Sequence, residues 1–78
     1  MVIVDEAFNF RFEHVGLDKT VVVIVPPSYV EDVLGCTGSQ EEQRVCVENS
    51  TDQLVAAALS KSEAWVQDNG RFYCRLHS

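Results

Sequence analysis

Phe8-Asn9-Phe10-Arg11-Phe12-Glu13-His14, followed after a short turn by Thr20-Val21-Val22-Val23-Ile24-Val25, decides the fold. In the first stretch phenylalanine alternates with polar residues. A period of two is that of a strand with one buried face, so Phe8, Phe10 and Phe12 are expected inside and Asn9, Arg11 and Glu13 outside. The second stretch is apolar at both parities and rich in β-branched residues, which predicts a central strand covered on both faces. Gly16, Asp18 and Lys19 supply the turn between them, giving an N-terminal hairpin that Val2-Ile3-Val4 could extend.

Pro26-Pro27 closes the second strand, because proline has no amide hydrogen for the ladder. Beyond it, Ser28 and Glu31 have capping-box spacing and predict a short helix over residues 28–34, which Gly35 ends. Residues 35–42 read as loop. Residues 43–48 carry two signals. Ser39 and Glu42 form another capping box, which argues helix, while Val45 and Val47 flank Cys46 in alternation, which argues strand. The strand is favoured, because Ser50 and Gln53 open a separate Ala- and Leu-rich helix over residues 51–60.

At the C-terminal side, Asp68-Asn69-Gly70 marks a second hairpin. A two-residue Asn-Gly loop would mix polar and apolar side chains on each face. A three-residue loop pairs Val66 with Phe72 and Ala64 with Cys74, sorts the faces, and sets Trp65 opposite Tyr73, so this register is expected. The predicted fold class is α+β: residues 1–78 as a single small domain, with an antiparallel sheet built from N- and C-terminal hairpins and two short helices packed on one face.

The chain has 78 residues and a net charge of -6. Hydrophobic residues make up 46%, which suits a globular protein and not a disordered one. The longest apolar run, Val21 to Val25, is far short of the roughly 18 residues of a membrane span. A core of this size supplies about 3–5 kcal/mol of net stability, so a homodimer that hides sheet edges is a candidate. The charge is uneven: residues 28–52 carry -5, against -2 before and +1 after. That field repels phosphate backbones and favours a protein partner with a basic surface, not direct nucleic-acid binding.

Glu31, Asp32, Glu41, Glu42 and Glu48 are the candidate partner-binding acids. Adjacent pairs such as Glu31-Asp32 and Glu41-Glu42 do not face each other on a helix, so they are not acid/base dyads. Trp65 and Tyr73, flanked by Arg71 and Arg75, are the candidate anchors, either exposed or covered by a helix. Cys36, Cys46, Cys74 and His77 have metal-ligand chemistry but lack knuckle spacing, so three buried free thiols are expected, with no metal and no cofactor. No phosphate-binding loop or catalytic motif is present, which predicts a non-enzymatic protein. The N-terminus lacks a basic region ahead of an apolar stretch, so a cytoplasmic, reducing setting is expected.

In size, acidity and lack of motifs the chain resembles small accessory proteins of phages and mobile elements, such as anti-CRISPR and other host-factor inhibitors. That resemblance implies inhibition of a basic, nucleic-acid-handling partner. A homodimeric structural or regulatory subunit is the alternative, followed by a small Cys/His metal-binding or thiol protein.

Overall fold

The computed structural model describes residues 3–6, 9–16 and 18–77. Five strands form one sheet in the order β1-β2-β3-β5-β4: β1 Val4–Glu6, β2 Asn9–Val15, β3 Thr20–Val25, β4 Val66–Asp68 and β5 Arg71–Arg75. Three helices connect β3 to the C-terminal hairpin: α1 Pro27–Asp32, α2 Gln40–Asn49 and α3 Thr51–Leu59. A single 3₁₀ turn, Ser62–Ala64, leads from α3 to β4. The class is α+β, as expected.

The sheet is mixed, not antiparallel. β2 and β3 pair antiparallel from Phe10↔Val25 to Val15↔Thr20, but β3 and β5 run parallel from Val21↔Phe72 to Ile24↔Arg75. A parallel pair needs a long crossover, and the three helices provide it. The helices number three because residues 43–48 lie in α2 and not in a strand. Ser39 caps α2 through its side chain, which accepts from the Glu42 amide at 3.2 Å. Gln43 and Val47 are the buried positions of α2, one helical turn apart. A polar residue at the first of them hides the helical period from the sequence. The Ser28 and Ser50 boxes make no side-chain cap; Pro26 precedes α1, and the fixed φ of Pro27 suits its first turn.

Phe10 and Phe12 are buried as expected, while Phe8 and Val2 lie outside the described residues. They join Val21, Val23, Val25, Cys74 and Leu76 in a core closed by Tyr29 and Val30 of α1, Val47 of α2, and Leu54 and Ala58 of α3. All three helices therefore lie on one face of the sheet, and among the described residues no helix or strand layer covers the other. β3 is buried from both faces, as its apolar run predicts: Val22, on the open face, is as fully buried as Val23 on the other. The register neighbours of Val22 are Glu13 on β2 and Tyr73 on β5, and the Arg71 guanidinium reaches across β3 to Glu13 at 2.7 Å. Long side chains thus substitute for a layer, their apolar stems lying along the strand.

The C-terminal hairpin adopts the two-residue loop. Asn69 and Gly70 both have positive φ (52° and 77°), as a type I′ turn requires, and Val66 pairs with Tyr73. Val66 therefore shares the open face with Tyr73 and is 65% exposed. The expected register sorted the faces by hydrophobicity alone. In the structure β4 is an edge strand, where one exposed valine costs little, and the turn chemistry sets the pairing.

Candidate functional site

α1 and α2 carry all five candidate acids, and all five are exposed. Glu31 and Asp32 end α1; Glu41 and Glu42 occupy the first turn of α2; Glu48 lies in its last turns. Three links fasten the two helices together. Gln43 Nε2 donates to Glu31 Oε1 and to the Cys36 carbonyl, each at 3.4 Å. The third is a disulfide between Cys36 and Cys46, with Cα atoms 6.6 Å apart. That bond corrects the expectation of three free thiols. A ten-residue separation across an unformed strand gave no sign of it; with α2 in place, Cys46 faces the loop that follows α1.

Besides Glu31, which accepts from Gln43, three of the acids have local structural work. Acids in the first turn of a helix interact favourably with its dipole, which accounts for Glu41 and Glu42 in part. The Glu42 side chain folds over Gly38, whose φ is 137° and where a Cβ would come within 2.5 Å of the carboxylate. Glu48 pairs with Arg44 one turn earlier at 3.6 Å, and Arg44 Nη2 also donates to the Ile3 carbonyl at 2.7 Å. Arg44 thereby ties α2 to the segment before β1. The outer side of α2 forms a broad groove lined by Gln40, Glu41, Arg44, Val45 and Glu48.

The two candidate anchors are not brought together. Trp65 sits on the helix side of the sheet, half-buried. Its Nε1 donates to the Ala58 carbonyl at 2.9 Å, and its ring packs tilted against Phe72 with centroids 5.6 Å apart. The Lys19 ammonium lies over both rings, at 5.6 and 5.5 Å from the centroids. Tyr73 lies on the opposite face, beside Val22 and Val66. The expectation that Trp65 faces Tyr73 fails with the register on which it rested. Neither aromatic shares a helix with the five acids.

Cys74 is the free thiol, fully buried beneath α3. Burial pushes its pKa up, while the neighbouring Trp65 N–H and the Lys61 charge pull it down. A thiol held protonated and sealed from solvent is a poor nucleophile. Cys36 and Cys46 are bonded to each other, and among the described residues no group of three or more His, Cys, Asp or Glu converges as a metal site.

The open face of the sheet has a different character. Arg11, Arg71 and Arg75 lie on it, together with Glu13, which pairs with Arg71, and Asp68, which is opposite Arg71 in the register. Acidic helices and an arginine-bearing sheet face thus occupy opposite sides of one small molecule. The sequence-stretch charges pointed to the acidic side; the arginine side was hidden, because its members are scattered from residue 11 to residue 75.

No helix among the described residues is long and apolar enough to cross a membrane. No protein-family model matches the chain, no curated protein matches it, and no solved structure matches its fold.

Proposed function

We propose that this protein is a non-enzymatic binding module that docks its α1–α2 layer on a basic protein surface. The observation that carries the reading is the grouping of Glu31, Asp32, Glu41, Glu42 and Glu48, all exposed, on two helices held together by a disulfide. A pre-organised acidic surface raises association rates with basic partners and spends little ordering entropy on binding. A partner that normally holds nucleic acid presents such a surface, and occupying it would inhibit that partner.

Trp65 is not among the docking residues in this reading. Its hydrogen bond to Ala58 and its packing on Phe72 support a role in holding α3 to the sheet. A cytoplasmic setting would keep Cys36 and Cys46 as thiols, since cytosolic disulfides are reduced. The binding surface would then be held by Gln43 and the core contacts alone.

The test is capture from the source cells by the wild-type chain and by the triple variant Glu31→Lys, Glu41→Lys, Glu42→Lys, with association rates for the captured protein measured over a salt series. The expected result is a basic partner whose association slows by about tenfold or more in the variant at low salt, with the difference shrinking as salt screens it. Association that is unchanged at every salt concentration would retire the docking surface and leave the acidity as a solubility feature.

A further inference from the structure

Where β4 ends, the molecule has a cavity of about 360 Å³ that does not share the protein's acidic character. Its lining is apolar at Ile24, Ala64, Val66, Tyr73 and Cys74 and otherwise consists of Lys61, Arg75 and His77; no Asp or Glu lines it. In a chain of net charge -6, a depression with Lys61, Arg75 and the His77 imidazole in its lining, and no lining acid, stands apart. Its volume falls at the small end of ligand sites, enough for one large side chain and its flanking groups.

The backbone beside the cavity adds a second recognition element. β4 makes its last pair at Val66↔Tyr73, and the chain before it has left the sheet for the 3₁₀ turn Ser62–Ala64. Beyond that point β5 has β3 on one side and, among the described residues, no strand on the other. The Leu76 amide donates to the Ile24 carbonyl at 2.9 Å. Strand alternation therefore turns the N–H and C=O of Arg75 away from β3, toward the edge that β4 has vacated. An extended peptide can pair with those groups, and a peptide that stops there brings a carboxylate beside Lys61 and Arg75.

We infer that this cavity binds the C-terminal end of an extended peptide, taking an apolar last side chain on Ile24, Val66 and Tyr73 and its terminal carboxylate among Lys61, Arg75 and His77. Edge pairing and carboxylate capture are both established modes of peptide recognition. The site lies at the β4-side edge of β5, and none of its lining residues belongs to the acidic helices α1 and α2.

Backbone-amide NMR of the full chain, titrated with N-acetyl-Ala-Ala-Phe bearing a free carboxylate, tests the assignment. Saturable shifts are expected at Ile24, Val66, Tyr73 and Arg75. Amidating the peptide's C-terminus should weaken binding by at least about fivefold, and Arg75→Gln in the protein should do the same, the scale of a partly exposed charge contact. Gln53→Ala, an exposed change on α3 outside the cavity, should leave the affinity unchanged. Arg75 is exposed, and the same spectra report whether the variant is folded. Absence of saturable shifts, or equal binding of the amidated peptide, would overturn the assignment. N-acetyl-Phe binding as tightly as the longer peptide would overturn the edge-pairing part and mark the cavity as a site for a free acid.

Discussion

The two faces of the sheet are made by the same strands and reach burial by different means. On the helix side, Phe10, Phe12, Val21, Val23 and Cys74 interlock with Tyr29, Val47, Leu54 and Ala58 from three separate helices. On the open side, Val22 is fully buried beside its register neighbours Glu13 and Tyr73, and the Arg71–Glu13 bridge spans its strand. The first arrangement removes water from many contacts at once. The second rests on long side chains that also meet solvent, and in return it keeps cationic groups at the surface. Packing is thus concentrated on the helix side of the sheet, while the open side keeps charged side chains in contact with solvent.

The comparison breaks first at Phe12. Replacing a buried phenylalanine by alanine typically costs about 3–5 kcal/mol, as much as the net stability expected of a core this size. Phe12→Ala should therefore be largely unfolded by circular dichroism at 25 °C; a folded variant would mean that the helix face is not the dominant source of stability. The next effect concerns how firmly the helices are held over that face. Reducing the Cys36–Cys46 bond, which closes a loop of ten residues, should cost slightly less than the ~3 kcal/mol of a 15-residue loop. Urea denaturation with and without reductant measures it, and identical midpoints would refute the assigned role.

Trp65→Phe removes one hydrogen bond, leaves the Ala58 carbonyl with a lost donor, and keeps most of the ring contact. A loss of about 1 kcal/mol in the same assay is expected, with no change in the binding kinetics of the α1–α2 surface. Slower association or faster dissociation would restore Trp65 as a binding anchor.

Cys74 sharpens the contrast through pH. Burial raises its folded-state pKa above that of the exposed thiol. The buried neutral thiol therefore contributes fully below the ordinary thiol pKa of about 8.5, and its contribution falls as pH rises through the higher folded value. Thermal unfolding of wild type should decline more steeply above that pH than that of Cys74→Ala, and parallel declines would count against the buried thiol as the cause. The smallest effect belongs to the open face. Arg71 and Glu13 are both about half-exposed, so Arg71→Ala should cost at most ~1 kcal/mol and less at high salt. A larger loss would show that the bridge over Val22 is worth as much as packed core.

The same contrast separates what could be read in the sequence from what could not. Alternation at Phe10 and Phe12, the β-branched run of β3, the Pro26-Pro27 stop and the Ala-rich α3 are local patterns, and each appears in the structure where the pattern put it. The parallel partnership of β3 and β5 is a relation between distant segments, to which local periodicity is blind. α2 was obscured by a glutamine at a core-facing position, although Ser39 and Glu42 marked its start. The C-terminal register turned on a backbone preference of Asn69-Gly70 that outweighed sorting by hydrophobicity. For the candidate site, the five acids were visible as a charge run. The cavity residues Lys61, Arg75 and His77 come from two segments far apart in sequence and acquire meaning only when the strand edge is drawn.

The parallel junction in the middle of the sheet also governs how the chain reaches this structure. β2 and β3 meet through a short turn and can close in microseconds. β5 must find β3 from roughly fifty residues away, after the intervening helices have bridged the distance, and such non-local closures are the slow ones. Until then the free edge of residues 21–24 is a flat apolar template open to other chains. Refolding is thus a race between docking of residues 72–75 within the molecule and capture of residues 21–24 by a neighbour. The first process is independent of protein concentration and the second grows with it, so yield should fall with concentration while the rate of correct folding stays constant.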